Sequence, residues 1–163
     1  MTEPSIEEAF VRESIMLLRV SLLPRARTAL ARLSDDEVWW RPNEHSNSVG
    51  NMLLHLCGNI RQWIISGVGG MPDTRTRPLE FSEEGPIPAS ELLARLEDTV
   101  DEAVSVLERL DRSRLLEERR IQAYDASLLR AIFHAVEHFS YHTGQIVYVV
   151  KMLRDEDLRF YNL

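Results

Sequence analysis

The chain has 163 residues, 44% of them apolar and 28% charged, which suits one globular domain with its own core and excludes a disordered chain. Its formal net charge of −7 at pH 7 repels a phosphate backbone and argues against nucleic acid as a partner. No apolar run reaches the roughly 18 residues of a membrane span, no secretory signal is expected, and the single cysteine, Cys57, allows no internal disulfide. A cytoplasmic protein without a membrane partner is the expectation.

Residues 5–23 have the apolar spacing of a first helix, with Ile6, Phe10, Ile15, Leu17, Leu18 and Leu22 on its face and Glu7 and Glu8 in its first turn. Pro24 is expected to end or kink it, with residues 25–33 continuing helically at a changed angle. Ser34-Asp35-Asp36-Glu37 offers capping chemistry for a short turn. Trp39 and Trp40 are expected to pack over the end of the bundle, and Arg41-Pro42-Asn43 breaks the chain. Residues 48–67 read as the second helix. Residues 71–88 hold four prolines and Gly85 and read as a long irregular connection, able to cover one end of the bundle like a lid. Residues 88–110 read as the third helix, capped by Ser90, with a stripe from Leu92 and Leu96 through Val100 and Val104 to Leu107. Residues 111–124 form a second connection, and Asp125 or Ser127 caps a fourth helix running to about Leu153. The tail, residues 154–163, packs as an appendage or frays.

No stretch carries a strand signal of comparable strength. The expected fold is all-α, a four-helix bundle in a single domain over residues 1–163, with a long connection between its second and third helices. The fourth helix is apolar nearly all round, Leu129, Val136 and Val147 lying opposite its histidines. That places it centrally or at a subunit interface and makes a homodimer the expected assembly.

His134, His138 and His142 are spaced four residues apart. A helix turns about 100° per residue, so each four-residue step returns to within about 40° of the same direction and all three imidazoles share one strip. On the second helix Asn51, His55 and Asn59 repeat the spacing, with Gln62 following. A solvated strip would carry Lys and Glu, which this helix lacks, while amides in a plain core would cost a few kcal/mol without partners. A polar, partly buried cavity meets both conditions. A lone mid-helix histidine is usually structural. Two at i and i+4, with a third from another helix, form a ligand set for one divalent ion. His138 and His142 with His55 make such a set, and His134, one turn earlier, is either an alternative ligand or a supporting group. Three neutral imidazoles leave the ion its charge and open positions for a small-molecule substrate. Asn51, Asn59, Tyr141 and Gln145 project near the strips and are candidates for orienting ligands or substrate. His45 falls in a loop. Cys57 lies about 200° around the helix from His55 and reads as a small buried hydrophobe. His134-Ala-Val-Glu137-His138 matches the H-x-x-E-H metalloprotease pattern, but Glu137 points about 100° away from His138. The Glu-x-x-His pairs of di-iron bundles and the C-x-x-C-H of haem attachment are absent.

The run NSVGNMLLHL over residues 47–56, continued by GNIRQW over 58–63, resembles the second helix of the DinB-like superfamily. The run EHFSYHTGQI over 137–146 resembles its fourth. The resemblance covers the chain in order and in length. It implies a four-helix bundle with a long connection, usually dimeric, and a metal held by one histidine of the second helix and two of the fourth, here His55, His138 and His142. Members include S-transferases that use bacillithiol or related low-molecular-weight thiols and mycothiol-dependent isomerases; the branch this chain resembles has no known activity. The expectation is a divalent transition-metal protein, with zinc or nickel, performing thiol S-transferase-like chemistry on a small molecule with the thiol as co-substrate. A metal-dependent hydrolase and a non-catalytic dimeric metal- or ligand-binding module are the alternatives.

Overall fold

Ser5 starts the first helix by a reciprocal exchange: its hydroxyl accepts from the Glu8 amide at 3.2 Å and its own amide donates to the Glu8 carboxylate at 2.9 Å. The structure, a computed structural model, describes residues 3–160. Helix α1 (Ile6–Met16) runs without a break through a π-helical stretch (Leu17–Leu22) into α2 (Leu23–Leu30). Pro24 therefore does not end the helix at residue 23. The wider π-helical turns before it leave room for a ring that would otherwise strike the carbonyl four residues back.

Ser34 caps α3 (Asp35–Val38) with the same exchange, using Glu37. Trp39 is half-buried; its indole donates to the Ile87 carbonyl at 2.9 Å, and its ring lies so close to Gly50 that a Cβ there would stand 2.8 Å from it. Ser48 caps α4 (Val49–Ile60), with Asn51 in the position usually held by Glu. A second π-helical stretch, Arg61–Val68, completes this helix. The third helix, α6 (Ala89–Arg109), is entered from Pro88. Ser90 does not cap it; the first free amide, Ala89, is satisfied instead by Asp35 at 2.8 Å, so α3 closes the start of α6. The fourth helix, α7 (Leu128–Arg154), is capped by Ser127 and ends on Asp155 in the left-handed conformation, φ 49°.

The two connections hold more structure than composition suggested. Between the second and third helices, Arg77–Ser82 forms a short helix, α5. Between the third and fourth, β1 (Glu118–Ile121) and β2 (Tyr124–Ser127) pair as an antiparallel hairpin, Ile121 opposite Tyr124. Alternation signals this hairpin poorly because only Ile121 and Ala126 are buried along it.

The core is a continuous apolar cluster in which α4 packs on α6 and α7, and α2 packs on α6 and α7. Phe139 is its largest fully buried side chain. The outer side of α7 is apolar yet exposed, with Phe133, Tyr141, Tyr148 and Met152 on it. The tail packs as far as it is described: Leu158 is buried, and the Arg25 guanidinium lies 5.9 Å from the Phe160 ring; residues 161–163 lie outside the described residues. Among the described residues no helix is long and apolar enough to cross a membrane. The fold is all-α in class, a four-helix bundle carrying one small hairpin.

Candidate metal centre

His55 and His142 are buried and His138 is partly open. Their ligating nitrogens all lie within 4.8 Å of one another. The Nε2 atoms of His55 and His138 stand 2.8 Å apart, and the three rings meet edge to face at centroid distances of 4.5 to 5.1 Å. Two imidazoles bound to one ion at about 2.0–2.1 Å hold their nitrogens roughly 3.0–3.4 Å apart, so to share a divalent ion the His55 and His138 nitrogens would open by a few tenths of an ångström.

Two of the three outer nitrogens are already committed. His55 Nδ1 lies 2.7 Å from the Glu80 carboxylate and His142 Nδ1 lies 2.7 Å from Gln145 Oε1. Carboxylate and amide oxygen only accept here, so both rings donate from Nδ1 and carry their lone pair on Nε2, where that of His55 accepts from His138 Nε2 at 2.8 Å. Behind them is a buried assembly. Arg75 donates to both Glu80 oxygens, at 2.6 and 2.8 Å, and to Gln62 Oε1 at 2.5 Å. The donor set of three imidazoles backed by one carboxylate fits zinc, nickel, copper or iron.

The protonation states agree with that role. Burial, reinforced by the neighbouring imidazoles, pushes His138 down to about 3, and burial with His55 alongside pushes His142 down to about 4. Burial also lowers His134. Desolvation alone would raise Glu80, but the hydrogen bonds from Arg75 and His55 outweigh it and hold its carboxyl below the ordinary range. The linkage has one sign throughout. A histidine lowered on folding stabilises above its unfolded value of about 6.5 and loses that contribution as pH falls. Chelator-treated protein should therefore melt at progressively lower temperature from about pH 6.5 down to about 4. A melting temperature flat across that range would contradict the buried neutral cluster.

The other residues singled out by spacing are divided by the structure. Gln145 touches the centre through His142. His134 stands outside the three-nitrogen cluster, its ring centroid 5.3 Å from that of His138 and its Nε2 3.3 Å from Asn59 Nδ2. Asn51 does not reach the histidines. Its amide donates to the carbonyls of Glu80 and Glu83 at 3.0 and 2.8 Å and accepts from Arg41 at 2.9 Å, so it ties down the segment bearing Glu80. Tyr141 packs edge-on against His142 but is 59% exposed. Glu137 is exposed and lies 3.9 Å from His134 Nδ1, away from the cluster. His45 is on the surface. Cys57 sits against the core, with burial pushing its thiol up to about 11, which makes it a poor nucleophile.

Glu80 and Arg75 were not found by sequence reasoning, since both come from the connection read as an irregular lid. Helical spacing cannot reveal a carboxylate delivered by a loop. The available signal was chemical: a ligating histidine requires an acceptor for its second nitrogen, and the connection is long enough to deliver one.

A family model described as "Protein of unknown function (DUF1572)" matches residues 6–163. Among solved structures, the chain is similar to a conserved protein from Enterococcus faecalis, with TM-score 0.72 and 16% identity over 89% of this chain and 97% of that one. It is also similar to the DinB-like protein YjoA from Bacillus subtilis, with TM-score 0.67 and 18% identity over 94% and 96%. None of the curated proteins matches it. Identities this low establish the DinB-like fold alone, whereas the family model spans nearly all of the sequence, and the chain belongs to the DUF1572 family.

Proposed function

We propose that this protein binds one divalent transition-metal ion through His55, His138 and His142, and uses it to activate a low-molecular-weight thiol for transfer to a small electrophile. The observation that carries this reading is the convergence of three imidazoles, two of them with their outer nitrogens already engaged, beside a cleft of about 720 Å³ lined by His138. A set of three protein ligands, one of which, His138, lines a cleft, has the character of a catalytic site, which keeps a position open, and not of a closed structural one. A bound ion would supply Lewis acidity, lowering the pKa of a coordinating thiol toward neutrality.

The chain's own residues supply the rest. Glu80 and Gln145 fix the tautomers of His55 and His142, and Arg75 holds the Glu80 carboxylate in place. Trp63, packed edge-on to His134 at 4.5 Å, walls the cleft and limits water. Metal content of untagged protein, measured by mass spectrometry, tests the reading. About one transition metal per chain is expected in the wild type, and none in His138→Ala. Equal metal in both, or none in either after incubation with zinc and nickel, would remove the proposal.

A further inference from the structure

The cleft beside the histidines carries charge and shape that metal binding does not use. One wall comes from the second helix and the long connection, the other from the hairpin and the start of α7; Gln122 donates to Asp73 at 2.6 Å and joins the two walls at one point. Arg75 is consumed by Glu80 and Gln62. Arg77 and Arg130 also line the cleft, and among the described residues neither has an ion-pair partner. Arg77 lies 5.0 Å from the Phe81 ring, an arrangement that leaves the N–H edge of a guanidinium available. The acid on the lining, Asp125, is matched by Arg120 at 2.8 Å. Two uncompensated cations thus face one cleft in a chain of net charge −7.

Two further features point to a ligand. Trp63 and Tyr124 lie side by side, ring centroids 5.6 Å apart and planes 37° from parallel, and present aromatic surface to the cleft although Tyr124 is 58% exposed. Asn59 is buried on the lining, and its Oδ1 has no partner while its Nδ2 faces His134. Turning the amide over would only exchange which end is left free. A buried polar atom without a partner is costly, and this one belongs to a residue of the cleft lining.

We infer that this cleft is the substrate site of the metal centre, and that it takes a small molecule with an oxyanion, carboxylate or phosphate, held by Arg77 and Arg130, its flat apolar part lying on Trp63 and Tyr124. This rests on the metal-site reading above. Guanidinium forks match carboxylate and phosphate oxygens in geometry as well as charge, and a cationic lining also concentrates anionic substrates near the cleft.

Calorimetric titration of the metal-loaded protein with benzoate, phenyl phosphate and benzamide tests it. At least one anion should bind at least about tenfold more tightly than the neutral benzamide, and rising salt should weaken it. The tighter anion identifies the headgroup. Arg77→Gln and Arg130→Gln, both exposed side chains, should each weaken the better anion at least about fivefold with metal content unchanged. Benzamide binding as tightly as the anions, anion affinity indifferent to both arginines, or no binding of any probe would overturn the inference. If the arginine-dependent anion site is present in a protein that takes up no metal, the metal reading fails and the anion site stands.

Discussion

Glu80→Gln should weaken metal binding about 10- to 100-fold, as loss of a partner behind a ligating histidine does, and should lower the melting temperature of the metal-free protein as well. Glutamine can still accept from His55 Nδ1, but it removes the charge that balances Arg75. Arg75 and Glu80 are 4% and 10% exposed in their side chains, so the guanidinium would be left in a dry site with only Gln62 as acceptor. Breaking a buried ion pair by removing one partner costs about 3–5 kcal/mol, and for a chain of this length each kcal/mol lowers the melting temperature by about 2–4 °C. Arg75→Met added to Glu80→Gln should restore part of the stability, because the unbalanced charge goes with it, while metal affinity stays low. Calorimetric melting and competitive metal titration read the two effects separately. A single variant with wild-type melting and wild-type affinity would show that the pair does not support the centre.

Gly58→Ala should destabilise, although alanine is the better helix former by about 1 kcal/mol. Gly58 sits one turn into the surroundings of His55 on α4. A Cβ at this position would overlap Glu80 Oε1 and stand 2.8 Å from Arg75 Nε. A flexible surface carboxylate would move aside at little cost. This one is held by Arg75 and His55 at 2.6 to 2.8 Å, so it must shift with its partners or push α5 outward. Overpacking of this kind costs about 1–3 kcal/mol, enough to exceed the helical gain. The expected result is a lower melting temperature together with weaker metal binding. A variant more stable than wild type with unchanged affinity would mean that the carboxylate is free to relocate.

Both predictions concern residues that periodicity does not connect. The helices were legible because each carries its own instructions: the apolar face and acidic first turn of α1, the capping chemistry at Ser34, and the apolar stripe of α6. His138 and His142 were legible as a pair because helix geometry alone puts residues four apart on one face. The polar strip through His55 was legible because amides and imidazole on an apolar helix need partners. The helical continuation beyond Pro24 was legible, but the π-helical stretch that accommodates the proline was not, because such a stretch has no reliable local pattern. The hairpin was missed because its strands are four residues each and mostly exposed.

By itself, then, the sequence determined where the four helices run and which histidines share a face, since both follow from interactions within a few turns of one helix. Only the tertiary structure decided that His55 meets His138 across two helices, that Glu80 and Arg75 stand behind it, and that Arg77 and Arg130 line a common cleft. The reason is physical. A loop's path is set by the partners its ends and polar groups find, such as the Asn51 amide that holds the carbonyls of Glu80 and Glu83. Those partners lie 29 and 32 residues away in the chain, beyond the reach of any local period.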